Sequence, residues 1–557
     1  MPPRFGLRYG APVPAETEAR ASGRGALLVG AGIFASRVVG LVRERVFAHY
    51  LGSSEAAGAF KAALRIPNLL QNLFGEGVLS ASFIPVYASL LGRGANEEAD
   101  RLASAIFGLL SGIVSILVLG GMLATPLLID LIAPGFEGET RALTILLVRI
   151  LFPGTGLLVL SAWCLGILNS HRRFFLSYAA PVIWNAAIIA ALLLFGRDEA
   201  SRVAVYVAMG TSIGCLLQLG AQVPSVLGLL GTFRPTLGLG ERAVQDVLRG
   251  FAPVVLGRGV VQLSAYIDTA YASLISTRAL AALTYAQILY LLPVSLFGMA
   301  VSAAELPEMS RAAGTDTEIA GAVRARVEGG VLRIAFFVIP SAVALLFFGD
   351  VLGATLFQTG RFTPEDSRYL WYILAGAALG LFASTTGRLY ASAFYALKDT
   401  KTPLYFAVAR VALVAVLGYV ATLRLPSWLG LPPELGAAGI TVSSGVAAWL
   451  ENVLLRRALA RRVGPIALSR RRLWVPLLAA VIAGLTALAI KQLLVQIAGA
   501  DPAGLREWGG ALLPMPDLHP LLTGATTILP FGLVYFAITA ALGAPEARAV
   551  LRRVLRR

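Results

Sequence analysis

Two short stretches near the start of the chain carry side chains able to hold an anion in an apolar setting. The first contains Ser36, Arg37, Arg43, Glu44 and Arg45. The second contains Lys61, Arg65, Asn68, Asn72 and Glu76, whose steps of 4, 3, 4 and 4 draw one polar stripe along a helix. Arginine suits a phosphate because its planar fork donates two parallel hydrogen bonds and stays charged. Ionisable residues at bilayer depth cost about 2.5 to 3.5 kcal/mol each on insertion scales, so they normally face a cavity or a partner. The reading favoured for Arg37, Arg43 and Arg65 is a cationic cavity that binds an anionic headgroup. The competing reading is that such residues reach for the membrane surfaces or pair with one another, and for Arg45 and Lys61 both stay open.

Later in the chain the ionisable residues thin out. Arg258 and Asp268 share one apolar run, and Glu305 and Glu308 close another. Arg149, Arg333 and Arg410 stand alone in apolar surroundings and read as structural. Enzyme chemistry finds no footing. None of the four lysines (61, 398, 401 and 491) follows a glycine as a phosphate loop requires, and no His, Cys or carboxylate cluster offers a metal site or a triad. Cys164 and Cys215 fit neither a disulfide framework nor a metal spacing. No cofactor is expected.

The elements that position these residues follow from composition. Of 557 residues, 57% are hydrophobic and only 14% charged, against about 25% charged in soluble domains. The chain therefore reads as an all-α polytopic membrane protein. Apolar runs long enough to cross a bilayer centre near residues 37, 75, 117, 155, 186, 214, 262, 294, 342, 380, 412, 446, 484 and 531, about fourteen in all. The net charge of +16 fits a positive-inside bias and an anion site better than nucleic acid. Basic residues gather on alternate loops, around His171–Arg173, Lys398 with Lys401, Arg456–Arg472 and the end of the chain. That pattern predicts both termini in the cytoplasm.

A longer period is also present. Leu73-Phe-Gly75 recurs as Leu296-Phe-Gly298, an offset of 223, and each is followed about ten residues later by Pro85 or Pro307. The basic turn at Asn169–Arg173 parallels Lys398–Thr402. Six spans per period preserve orientation, so two lobes related by a pseudo-two-fold axis normal to the membrane are expected. The division is a disordered cytoplasmic tail at 1–24, a first lobe at 25–232, a second at 233–463, two extra helices within 464–545, and a basic cytoplasmic tail at 546–557. Residues 1–25 lack the apolar core of a cleavable signal peptide. Pro67, Pro85, Pro153, Pro293 and Pro307 fall within spans and either make static kinks or shape a portal between the lobes.

Ser36-Arg-Val-Val-Gly-Leu-Val-Arg43-Glu44, Ala59-Phe60, Arg65-Ile-Pro-Asn-Leu-Leu70, Phe74-Gly-Glu-Gly77 and Phe83-Ile-Pro85 resemble the MurJ/MviN family of lipid II flippases. This family lies within the multidrug/oligosaccharidyl-lipid/polysaccharide exporter superfamily. The resemblance continues at Tyr285-Ala286, Leu292-Pro293, Phe297-Gly298, Leu306-Pro307, Ala393-Phe-Tyr395 and Lys401-Thr-Pro403, covering most of the first twelve spans. It implies two lobes around a central cationic cavity in the bacterial inner membrane. The implied substrate is the undecaprenyl-pyrophosphate-linked peptidoglycan precursor, and cell-wall synthesis proteins are the implied partners.

By the same resemblance, Ser36, Arg37, Arg43, Glu44, Arg65 and Glu76 take family substrate positions, and the last two spans form a lipid-tail groove. The chain departs from the family pattern at Gln71, at Ala286-Gln287-Ile288 and at Gly58, where relatives often carry charge. Arg258 is expected to replace one missing cation. Transport would draw on the membrane potential, worth about 2.3 kcal/mol per charge per 100 mV, or on a sodium or proton gradient sensed at Asp268 or Glu76. The alternatives are export of another lipid-linked oligosaccharide or amphiphile, and a non-transporting membrane scaffold.

Overall fold

The structure, a computed structural model, describes residues 15–500 and 518–555. Helices account for its regular structure: α1 (Ala15–Leu51), α2 (Glu55–Phe74), α3 (Glu76–Gly92), α4 (Asn96–Leu123), α5 (Thr125–Ile132), α6 (Gly138–Ser170), α7 (Phe174–Phe195) and α8 (Ala200–Leu227). There follow α9 (Arg242–Ile275), α10 (Thr277–Pro293), a π-helical turn at Val294–Met299, α11 (Ala300–Ser310), α12 (Asp316–Phe357), α13 (Pro364–Ala396) and α14 (Lys401–Tyr419). The chain continues through α15 (Leu425–Trp428), α16 (Gly436–Val463), α17 (Arg470–Ala500), α18 (Leu518–Ala541) and α19 (Pro545–Leu555).

Twelve helical segments among the described residues are long and apolar enough to cross a membrane. The more highly charged α1 and α9 occupy the places of the first and seventh expected spans. Local signals explain several starts. Ser54 caps α2, and Thr315 with Glu318 and Thr363 with Asp366 form capping boxes that open α12 and α13.

Packing repeats along the chain. In the first half α1 lies on α7, α2 on α6, α4 on α6, and α6 and α7 on α8; in the second α9 lies on α14, α10 on α13, α12 on α13, and α13 and α14 on α16. The turns after α6 and α13 share one unusual conformation. Arg172 and Lys398 both have φ of 59°, the only positive values at non-glycine residues among those described. In each turn the following N–H, of Arg173 or Asp399, donates to the carbonyl five residues back, Leu168 or Phe394. The Leu-Phe-Gly pair is also matched in form, since the helix breaks at Gly75 and turns π-helical around Gly298.

Two expectations need correction. The second span is not continuous: Gly75 has φ −85° and ψ −155°, so the polar stripe ends at Asn72 and Glu76 starts a new helix. The bend lies at Gly75, while Pro67 and Pro85 sit inside helices. Residues 15–24, rich in helix-forming Ala, Glu and Arg, are the first turns of α1 and no tail; residues 1–14 lie outside the described residues. The basic tail is helical to Leu555, with Ala547 buried and Glu546 bridged to Arg472 at 2.5 Å.

Helix α9 packs differently at its two ends. Val244 and Val247 of α9 belong to the core of the first half, with Phe83, Trp163 and Leu230. The other end of α9 belongs to the second half, where the Tyr271 hydroxyl donates to the Ala415 carbonyl at 2.5 Å. One helix thus packs with both halves of the chain. The two C-terminal spans attach to α12: Ala479, Ala480, Ala483 and Ala487 of α17 let the backbones approach, and Phe531 and Tyr535 of α18 fill the space against Phe336 and Phe348.

Candidate functional site

The cations of α1 and α2 divide into two groups. The first joins helices of the first half and is largely buried, with the Tyr285 ring of α10 against it. Arg43 donates to Glu44 Oε1 at 2.5 Å and to Asn185 Oδ1 at 3.0 Å, and its guanidinium lies 5.0 Å from the Trp184 ring centre. Lys61 Nζ stands 2.6 Å from the other oxygen of Glu44, and it faces the Phe47 and Tyr285 rings at 4.2 and 5.3 Å. Lys61 is only 5% exposed, so it does not reach for a membrane surface. One carboxylate therefore holds two cations between three helices, with aromatic faces around them.

The second group looks across to the other half. Arg37, exposed, donates to Ser295 Oγ of the π-helical turn at 3.4 Å. Arg65 donates to Gln287 of α10, while the Tyr266 hydroxyl of α9 donates to the Arg65 carbonyl at 3.2 Å. Asp268, Tyr266 and Tyr290 all lie within electrostatic range of the Arg65 guanidinium. Asp268 accepts from Ser444 of α16 at 3.4 Å, and Arg410 also acts on it. Ser36, Asn68 and Asn72 are half-buried along the same faces. The side chains of Glu76 and Arg258 lie outside the described residues.

Other isolated charges turn out to be partnered. Arg410 bridges Glu451 at 3.0 Å, Arg333 bridges Glu305, and Arg149 donates to the Met122 carbonyl at 3.3 Å. Arg45 donates to the carbonyls of Thr355 and Leu356 at 2.8 and 3.0 Å, satisfying the C-terminal end of α12. Gln287 is marked in the sequence only as a departure from the family pattern, and Asn185, Ser295 and Ser444 are not marked at all. Their signal was a polar side chain inside an apolar run, which Ser and Asn supply too often to rank.

Beside Arg45 the halves meet along a seam. His49 Nδ1 lies 2.8 Å from Thr359 Oγ1, the Arg361 N–H donates to the His49 carbonyl at 2.8 Å, and the Tyr285 hydroxyl donates to the Gly52 carbonyl at 2.9 Å. Gly360, at φ +55°, lies so close to the His49 carbonyl that any side chain would collide with it. Gly58 abuts the Thr277 carbonyl as tightly, which explains why no acidic residue stands there. At the opposite end, no hydrogen bond or ion pair among the described residues links α3 to α11. Nor do three or more His, Cys, Asp or Glu side chains gather in one place there or elsewhere in the described residues.

The family model for lipid II flippase MurJ matches residues 47–500. The chain belongs to the MurJ family. A probable lipid II flippase MurJ of Rhizobium meliloti is 30% identical over 547 residues, covering 95% of each chain. The lipid II flippase MurJ of Burkholderia cenocepacia is 32% identical over 437 residues, covering 77% of this chain and 81% of that one. Among solved structures, a lipid II flippase MurJ in an inward closed conformation superposes with a TM-score of 0.73 at 23% identity, over 95% of this chain and all of that one. An inward-facing multidrug transporter of the wider superfamily gives 0.59 at 18% identity, over 77% of this chain and 94% of that one. The MurJ fold is therefore that of this chain, and its helices belong to a family of transporters.

Proposed function

We propose that this member of the MurJ family moves lipid II, the undecaprenyl-pyrophosphate-linked peptidoglycan precursor, from the inner to the outer leaflet of the bacterial inner membrane. The observation that carries the reading is the placement of Arg37 and Arg65, from two helices of the first half, against Ser295 and Gln287 of the second. Two guanidiniums whose hydrogen-bond partners are neutral, with no direct ion pair, can turn to a diphosphate, whereas Arg43 is already committed to Glu44. Arg43 and Glu44 then act by fixing α1 against α2 and α7, and Ser36, Asn68 and Asn72 add neutral donors along the path. Glu76 and Arg258 keep the substrate-facing roles expected of them from the sequence.

The positive-inside pattern puts the seam around His49 and Thr359 at the outer face and both termini in the cytoplasm. Opening that seam while α3 and α11 close would expose the headgroup alternately to the two sides. A diphosphate carrying two negative charges is drawn outward by a membrane potential negative inside, and about 100 mV supplies about 2.3 kcal/mol per charge. Asp268, between Arg65, Arg410 and Ser444, is the group placed to respond to a coupling proton or sodium ion. The lipid tail would follow the surfaces of α17 and α18, and cell-wall synthesis proteins would receive the product.

The test is complementation of a bacterial strain depleted of its own lipid II flippase. Wild type should restore growth and shape, and Arg37→Ala, expressed to the same level in the membrane, should not. Failure of the wild type at normal expression would reassign the substrate to another lipid-linked oligosaccharide or amphiphile. Rescue by both would remove Arg37 from the binding path.

A further inference from the structure

A second cationic site, sharing no residue with the groups between the halves, lies where α17 begins and α18 passes into α19. A pocket of about 440 Å³ opens there, lined by Arg471, Arg472 and Arg548 with Glu546, and walled by Val475 and Leu542 among others. Its charges do not balance. Glu546 bridges Arg472 at 2.5 Å, Arg471 donates to the Leu542 carbonyl at 3.4 Å, and Arg548 has no carboxylate partner among the described residues. Arg472 Nε is buried without an acceptor. Arg552 adds a further positive charge one turn beyond Arg548, donating to its carbonyl at 3.4 Å.

The site also has a position relative to the bilayer. Trp474 is 57% exposed one residue from Val475, and Leu478 of α17 and Leu542 just past α18 are exposed as well. An exposed tryptophan between arginines and leucines marks the boundary of headgroup and hydrocarbon. We propose that this pocket binds the phosphate of an anionic membrane lipid, with guanidiniums of Arg471 and Arg548 on the phosphate and acyl chains along Val475 and Leu542. The apolar wall and the interfacial tryptophan favour a lipid over free phosphate, although both present the same oxygens to arginine. Bound there, the lipid would fasten α19 to the start of α17 without touching the polar groups between the lobes.

The full chain, purified in detergent, is titrated with phosphatidylglycerol, phosphatidylcholine and inorganic phosphate, and bound lipids are counted by native mass spectrometry. Wild type should retain one phosphatidylglycerol more than Arg471→Ala/Arg548→Ala, with affinity for it at least about tenfold higher, the scale of one or two charge-assisted hydrogen bonds. Arg249→Ala, which removes an exposed arginine of α9 paired with Asp246, should match wild type. Phosphatidylcholine should not distinguish the proteins, and millimolar phosphate should not displace the lipid. Thermal unfolding confirms that the variants are folded, and Arg548→Ala alone serves if the double variant is not. Equal retention by wild type and variant, an equal loss in Arg249→Ala, or binding of phosphate in preference to lipid would each overturn the proposal.

Discussion

Lys61 and Glu44 stand 2.6 Å apart between α2 and α1, seventeen residues distant in the chain and almost shut off from water. Glu44 also holds Arg43, so one carboxylate balances two cations in the first half. Removing one partner of a buried pair leaves an uncompensated charge, which costs about 3 to 5 kcal/mol. Glu44→Gln should therefore lower the thermal unfolding temperature in detergent sharply. The double change Glu44→Gln with Lys61→Met should recover part of that loss, because the stranded ammonium is gone. Equal destabilisation by the single and double variants would count against a coupled pair.

Arg37 gives the opposite expectation. It is exposed and makes one hydrogen bond among the described residues, 3.4 Å long, to Ser295. Arg37→Ala should leave unfolding within about 0.5 kcal/mol of wild type, as surface substitutions generally do. Its effect should appear in transport, measured as outer-leaflet lipid II in cells or vesicles. Arg37→Lys should fall between the two, because a lysine keeps the charge and loses the planar fork.

The seam can be tested by locking it. His49 and Thr359 side chains meet at 2.8 Å, and Cys164 and Cys215 are both buried and free. His49→Cys with Thr359→Cys should cross-link under mild oxidation. Transport should stop on cross-linking and return on reduction, while either single variant stays active under oxidant. Continued transport in the fully cross-linked protein would show that the seam need not part.

One pH effect follows from the turn after α13. Asp399 accepts from the N–H groups of Lys401 and Thr402 and bridges Arg462, which holds its carboxyl below the ordinary 3.8. The backbone N–H of Thr402 is the largest cause. Because the folded value is depressed, the stabilisation is fully present above the ordinary value and is lost as pH falls through the folded one. The unfolding temperature of wild type should drop in that acidic range more steeply than that of Asp399→Asn, which has no carboxyl to protonate. Parallel curves would show that this turn does not contribute.

Hydropathy placed the helices because a bilayer leaves few alternatives: every expected centre falls within a helix except residue 75, at the break between two, and residue 294, at the π-helical turn between α10 and α11. The break itself could not be read. Gly75 looks like many glycines tolerated inside helices, such as Gly380 within α13 or Gly214 within α8, and no proline marks the spot. Partnerships were illegible for a different reason. Lys61 with Glu44 and Arg410 with Glu451 join separate helices, so spacing along one strip of chain cannot reveal them. The same limit applied to α9, whose single continuous helix hides that Val247 and Tyr271 serve different cores.

The acceptors along the seam carry a consequence for how it moves. Arg45, Arg361 and Tyr285 all donate there to peptide carbonyls. When such a junction comes apart, each oxygen and each donor is met by solvent, and the net cost is about 0.5 to 1.5 kcal/mol per bond. An ion pair buried like that of Lys61 would resist several times more strongly. The molecule thus keeps its strongest electrostatic ties inside one half and fastens the halves together with weak, rehydratable ones, an arrangement suited to a joint that must open and shut many times.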